Sequence, residues 1–365
     1  MKSLKLTVAV CLLAGGAALA AAQPARGGAV FAMTNSADGN AVVAFARGVD
    51  GSLEQAGTYA TGGNGSGGTI DPLHSQGSLT LSGDHRLLFA VNAGSGTISS
   101  FAVAGSRLKL LDTAPSGGSQ PSALAVNDSL LYVLNMGGNG NVTGFHVLPN
   151  GHLVRIPGST RSLSAGNAAP TSLTFSPNGR VLVVAESATN KIDTFRVLPN
   201  GTLTALTSSD SEGGVPFAAL FAPNGVLTVA NASNTISSYK VNWNQSLDTI
   251  SAALPTDGMA TCWSVILPNG RVIYTANAAT SNLSGYRIGW NGELTPIGDT
   301  IVGANPAGSV NLDIAVSQDG RFLYTLNGGT GTIGVFAVQR DGSLENQAEV
   351  EGLPATAGIN GIAAY

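Results

Sequence analysis

Few side chains in this sequence can move a proton or hold a charge, because charged residues make up only 10% of the chain. Hydrolysis of an ester-like bond needs a carboxylate or imidazole within reach of a water. It also needs a donor or cation facing the oxygen on which charge develops. Glu186 can be the first. Arg161 and Lys191 lie on either side of it and can be the second, Lys191 equally being a solvated partner for a nearby acid. Asp71, His74, Asp210, Glu212, Asp257 and Asp313 complete the ionisable set expected around the same site. His74, Lys191, Asp313 and the indole of Trp263 are the candidates for touching a ligand, with packing the other role open to Trp263.

Metal chemistry is not expected, since His74, His85, His146 and His152 fall in no cluster with ligand spacing. No motif calls for a cofactor either. His85, His146 and His152 read as surface or packing residues, and Trp243 and Trp290 as structural residues beside turns. Cys262 has no His or Lys beside it in the chain, which argues against a reactive thiol.

The element that must position these groups is a repeated unit, clearest from Pro170 to Leu206: PTSLTFSPNGRVLVVAESATNKIDTFRVLPNGTLTAL. Short β-branched runs alternate with Pro-Asn-Gly turns, the signature of an antiparallel meander of about four strands. Its second strand, loop and third strand recur seven times, as AVFAMTNSADGNAVVAF, RLLFAVNAGSGTISSF, SLLYVLNMGGNGNVTGF, RVLVVAESATNKIDTF, GVLTVANASNTISSY, RVIYTANAATSNLSGY and RFLYTLNGGTGTIGVF. The copies close on Phe45, Phe101, Phe145, Phe195, Tyr239, Tyr286 and Phe336, at intervals of roughly 44 to 56 residues. That period suits a propeller blade and is too short for tandem sandwiches. At the end of the second strand stand Asn35, Asn92, Asn135, Glu186, Asn231, Asn277 and Asn327. The amides are expected to bond the backbone of the following loop; the one carboxylate among them marks Glu186 as a candidate site residue.

The expected fold is all-β, a seven-bladed β-propeller of four-stranded antiparallel blades over 28–365. Its innermost strands are Gly77 to Leu81, Ser122 to Val126, Thr171 to Ser176, Phe217 to Phe221, Trp263 to Leu267, Asn311 to Val316 and Asn360 to Tyr365. The last has no strands after it, while Ala29 to Tyr59 lacks an inner strand, so the C-terminal strand should pair with the N-terminal blade and close the ring. Asn-Gly and Asp-Gly turns then share one rim. Crossovers and the loops after the Asn column share the other, where the site is expected. The longest crossover, Ala60 to Gln76, is glycine-rich and consistent with mobility.

Residues 1–22 read as a secretory signal peptide: Lys2 and Lys5, an apolar run from Leu6 to Leu13, then small residues to Ala22. Its removal would shift the formal charge from −4 to about −6 and leave one cysteine, so no internal disulfide can form. The expected location is periplasmic or extracellular. No basic cluster exists to bind nucleic acid, and no second apolar segment would hold the chain in a membrane. A monomer is expected.

With those motifs in view, nearly the whole mature chain resembles the seven-bladed β-propeller lactonase family, which includes 6-phosphogluconolactonase-like and carboxymuconate cyclase-like proteins. The resemblance rests on SPNGRVLVVAE, LPNGRVIYTANAATSNLSGYRI and SQDGRFLYTLNGGTGTIGVFAVQRDGSL, and on Ser75-Gln76-Gly77-Ser78. It implies a Pro-Arg-His step into the fourth inner strand, where this chain has Pro170-Thr171-Ser172, and a Pro-His step one blade earlier, where it has Pro121-Ser122. Losing those cations argues against a phosphosugar, whose dianion needs clustered Arg or Lys. Two readings follow: a secreted hydrolase of a neutral or carbohydrate-derived lactone at the channel mouth, with Glu186 and Arg161 catalytic, or a non-catalytic extracytoplasmic propeller that binds a ligand or protein.

Overall fold

The structure, a computed structural model, describes residues 26–365. The expected signal peptide, 1–22, lies outside the described residues. Seven antiparallel sheets form, each running from an innermost to an outermost strand. The innermost strands are Leu79–Leu81, Pro121–Asn127, Pro170–Phe175, Pro216–Phe221, Thr261–Ile266, Asn311–Val316 and Ile362–Ala364. Each expected inner strand is present, with ends moved by at most two residues. In the third blade the outermost strand is broken in two, Leu153–Arg155 and Arg161–Ser162, both paired with Asn141–Val147.

Local chemistry sets this meander. In the fourth blade, Asn178 Oδ1 accepts from Ser176 Oγ (2.9 Å) and from the Arg180 amide (3.1 Å), while Gly179 takes a φ of 67° that a Cβ would resist. The strand that leaves the turn, Val181–Glu186, is buried along nearly its whole length because neighbouring blades cover both faces. The outermost strand of the seventh blade, Leu344–Val350, is largely exposed. The aromatic that closes each repeat, from Phe45 to Phe336, is at most 1% exposed. Each such ring contributes roughly 1.5 to 3 kcal/mol of burial.

Ring closure is made as the repeat count demands. Ile362–Ala364 pairs antiparallel with Arg26–Met33, in register Val30 to Ala364, Phe31 to Ala363 and Ala32 to Ile362. The Tyr365 amide donates to the Ala29 carbonyl (3.1 Å), and buried Arg47 donates from Nε to the Tyr365 carbonyl (3.1 Å).

The Asn column does something other than cap its own loop. Asn92 donates to Thr97 Oγ1 (3.1 Å) and Ser99 Oγ (2.8 Å) and accepts from Thr61 Oγ1 (2.6 Å). Asn277 repeats the pattern with Asn282 Oδ1 and Ser284 Oγ, both at 2.8 Å. These amides are fully buried, out of reach of water, so their hydrogen bonds go to the third strand and the incoming crossover.

Candidate functional site in the central channel

The innermost strands surround a cavity of about 440 Å³. Its lining runs from Gln76 and Gly77, past Thr80, Ser172, Thr174 and Asp313, down to Ser176 and Pro177 in the turn beyond the fourth inner strand. Leucine, valine, isoleucine and alanine supply most of the remaining wall, and Asp313 is the one titratable residue in it. Its position follows from register: Asp313 pairs with Leu326, Ser172 with Ala185 and Ala218 with Ala230, each one step from the buried column residue. Asp313 Oδ1 accepts from the Ile314 amide (2.9 Å) and Oδ2 from the Ile362 amide (3.1 Å). Two amide donors favour the ionised form, but loss of water outweighs them, and burial pushes the carboxyl up to about 8. Asp71, also held high by burial, adds like-charge repulsion.

A plug closes the crossover rim. The 60–76 crossover, whose glycine content was consistent with mobility, folds across the channel and is bonded to four blades. The Gln76 side chain exchanges two 2.8 Å hydrogen bonds with the backbone of Ser264, and its amide donates to the Thr171 carbonyl (2.9 Å). Ser75 Oγ donates to the Ser122 carbonyl (2.8 Å), and Asn360 Nδ2 to Asp71 Oδ1 (3.1 Å). The tight path requires Asp71 and His74 to adopt left-handed φ values of 43° and 44°. Its glycines permit close approach rather than motion: a Cβ on Gly65 would lie 2.2 Å from the Asn35 backbone.

Trp263, on the inner strand Thr261–Ile266, braces this plug. Its indole is buried, donates from Nε1 to the Ser75 carbonyl (2.9 Å) and packs against Phe217 with centroids 4.9 Å apart. The His74 ring meets Phe217 edge-on, with centroids 5.1 Å apart, and its Nδ1 lies 3.6 Å from Asp71 Oδ2. Of the residues expected to touch a ligand, Asp313 lines the cavity, whereas His74 and Trp263 pack at the plug and are not in its lining, and a backbone segment stands between the crossover rim and the cavity.

Glu186, Arg161 and Lys191 are not gathered with them. Glu186 is fully buried inside the fourth blade, where Oε1 accepts from the Ser164 amide (2.9 Å), and Oε2 from Thr189 Oγ1 (2.6 Å) and Ser164 Oγ. It ties down a crossover, as the amides of its column do. Buried Asp193 is its neighbour, its carboxyl pushed up first by burial and then by hydrogen bonding to Glu186. Arg161 is engaged by carbonyls: Nε donates to Thr204 (3.2 Å), Nη1 to Gly158 and Thr160 (both 2.9 Å), and Nη2 to Leu203. Lys191 pairs at the surface with Asp210, at 2.6 Å. Cys262 is buried beside the plug and its thiol is pushed up by burial.

The channel residues that reading by type passed over are Gln76, Ser172 and Thr174. Both short polar side chains alternate with apolar ones on an inner strand, the period-2 signal that faces one side inward. Ser172 sits where the resemblance led to a histidine, so it was visible only as a missing ligand.

The sequence signature of the family described as "Lactonase, 7-bladed beta-propeller" matches residues 118–354. Comparison with curated proteins gives no match. Among solved structures, a candidate 6-phosphogluconolactonase from Bacteroides uniformis is similar at a TM-score of 0.71 and 17% identity, over 93% of this chain and 100% of that one. One from Bacteroides fragilis gives 0.69 and 17%, over 93% and 98%. The periplasmic gluconolactonase of Pseudomonas aeruginosa gives 0.70 and 18%, over 92% and 99%.

Proposed function

This chain belongs to the seven-bladed β-propeller lactonase family, and from that premise we propose that it hydrolyses a neutral lactone in its central channel, with Asp313 taking a proton from the attacking water. The observation that carries the reading is that Asp313 is the one ionisable group in the channel wall, raised by burial to about 8. A base is most effective when its pKa lies near the working pH. Water would lose its proton to Asp313 as its oxygen adds to the lactone carbonyl. The ring C–O bond then breaks, and the proton returns to the departing alkoxide, giving the open hydroxy acid. The Thr80 and Thr174 hydroxyls lie in the same lining; each donates to a backbone carbonyl, at 3.2 Å to Gly77 and 3.5 Å to Phe175, and would have to turn from it to face the developing oxyanion.

The wall holds no Lys or Arg, which favours an uncharged substrate over a phosphorylated one. With the plug across the crossover rim, the route to Asp313 runs from the Asn-Gly-turn rim past Pro177. We assign Glu186 and Arg161 to holding the crossovers of the third and fourth blades. His74 and Trp263 steady the plug, and Lys191 serves as a surface ion pair. The N-terminal Lys2, Lys5 and following apolar run support export from the cytoplasm, and so a periplasmic or extracellular site of action.

Purified protein should open glucono-1,5-lactone or an unsubstituted γ- or δ-lactone faster than buffer in a pH-stat, and Asp313→Asn should remove the excess rate. Equal rates for protein and buffer, with saturable binding of the same lactones, would favour the second reading, a ligand-binding propeller. The engagement of both Asp313 oxygens by backbone amides is the observation on its side.

A further inference from the structure

Trp243 and Trp290 read as structural in the sequence, yet they are 82% and 83% exposed. Each stands four residues past the aromatic that closes its repeat, Tyr239 and Tyr286, so the two indoles occupy equivalent turns on adjacent blades of the Asn-Gly-turn rim. Leaving an indole in water forgoes the burial that makes tryptophan useful to a fold. Both are nonetheless held in place. The Arg196 guanidinium lies 4.2 Å from the centroid of the Trp243 ring and donates from Nη2 to the Trp243 carbonyl (2.7 Å), and Arg271 lies 5.0 Å over Trp290.

Trp243 forms one wall of a groove of about 910 Å³ between the fourth and fifth blades. Arg180 and Arg196 line it, no carboxylate does, and neither arginine makes an ion pair among the described residues. In a chain with 21 acidic and 17 basic residues, two unneutralised guanidiniums in one groove are a local excess of positive charge. Asn178, Asn224, Asn242 and Gln245 add side-chain amides around the same space.

We infer that this groove binds an acidic saccharide, a chain of uronic acid residues. The indole face away from Arg196 is offered to the C–H groups of a pyranose, the amides offer donors and acceptors to ring hydroxyls, and Arg180 offers a bidentate partner to a uronate carboxylate, with Arg196 adding its charge beside it. A second stacked indole one blade further along the rim extends the platform to an oligomer. The site stands whether or not the channel does chemistry.

Tetragalacturonic acid, titrated against the full mature chain by tryptophan fluorescence and calorimetry, tests it. Saturable binding is expected, weakened about tenfold or more in Trp243→Ala. In Arg180→Gln, binding should weaken about fivefold and lose part of its salt dependence. Cellotetraose and tetra-aspartate should bind at least tenfold more weakly. Both substitutions are at the surface, and an unchanged melting temperature will show that the fold is intact. No binding of the uronate, equal binding by wild type and Trp243→Ala, or equal affinity for the neutral or peptide probe would overturn the inference. So would a self-association that sedimentation detects in the wild type and that Trp243→Ala abolishes without affecting the uronate.

Discussion

Asp313 Oδ2 accepts a hydrogen bond from the Ile362 amide nitrogen, 3.1 Å away, so the carboxyl that faces the channel also fastens the strand that closes the ring. One side chain therefore links the candidate chemistry to the last step of assembly, and its protonation should register in both.

Turnover and stability should move in opposite directions with pH. The basic form of Asp313 is the active one, so kcat/KM for a neutral lactone should rise with pH and level off above about 8. The folded pKa lies above the unfolded carboxylate value of 3.8. Its contribution to stability is therefore full below about pH 4 and is lost as pH rises through about 8. Calorimetry at pH 5 and pH 9 should show a lower Tm at the higher pH, and Asp313→Asn should flatten part of that slope. A rate independent of pH between 6 and 9 would remove Asp313 as the base.

Glu186→Gln should keep lactone turnover, because the side chain is enclosed in its blade and an amide holds the same position in the six other repeats. Glu186→Ala should cost about 2 to 4 kcal/mol in denaturant unfolding, as Ser164 and Thr189 lose their buried acceptor. Loss of turnover in the Gln variant, with its Tm unchanged, would return the base to Glu186.

Closure predicts a cooperative penalty at the C-terminus. Deleting Gly358 to Tyr365 removes the inner strand of the first blade and exposes the edge of Arg26–Met33, so the truncated chain should aggregate or melt without a sharp transition. Arg47→Met is milder: it loses the bond to the Tyr365 carbonyl and should lower stability by about 1 to 3 kcal/mol. Light scattering and thermal melts check both.

The plug should be among the protected parts of the crossover rim. Hydrogen exchange at the Gln76 amide, bonded to Thr171, should be slow in the wild type. Trp263→Phe deletes the indole bond to Ser75 and should speed exchange over 73–77 with a stability loss of about 1 kcal/mol. Fast exchange there in the wild type would mean that the crossover rim opens readily.

The fold was legible because each of its determinants is local and repeated. Seven β-branched runs, the Asn-Gly turns and the closing aromatics such as Phe195 each specify a strand or a reversal within a few residues, and repetition multiplies the signal. Even closure could be read, since a lone inner strand at Asn360 to Tyr365 and an inner-strand gap before Ala29 leave one pairing. The site was less legible. Glu186 drew attention by breaking a column of amides, but whether a carboxylate in that column meets water depends on the blades stacked against it, and they bury it.

Sequence alone determined the number of blades and their strand order, because hydrogen-bond register and side-chain alternation act between residues near in the chain; the join between head and tail, which pairs distant residues, followed because one inner strand and one gap were left over. Only the tertiary structure decided that the 60–76 crossover turns inward to stopper the ring and that, of the buried carboxyls, Asp313 is the one in the channel wall. It also decided that Trp243 stays outside. Those outcomes depend on which distant surfaces exclude solvent, and desolvation is a property of the assembled ring rather than of any stretch of the chain.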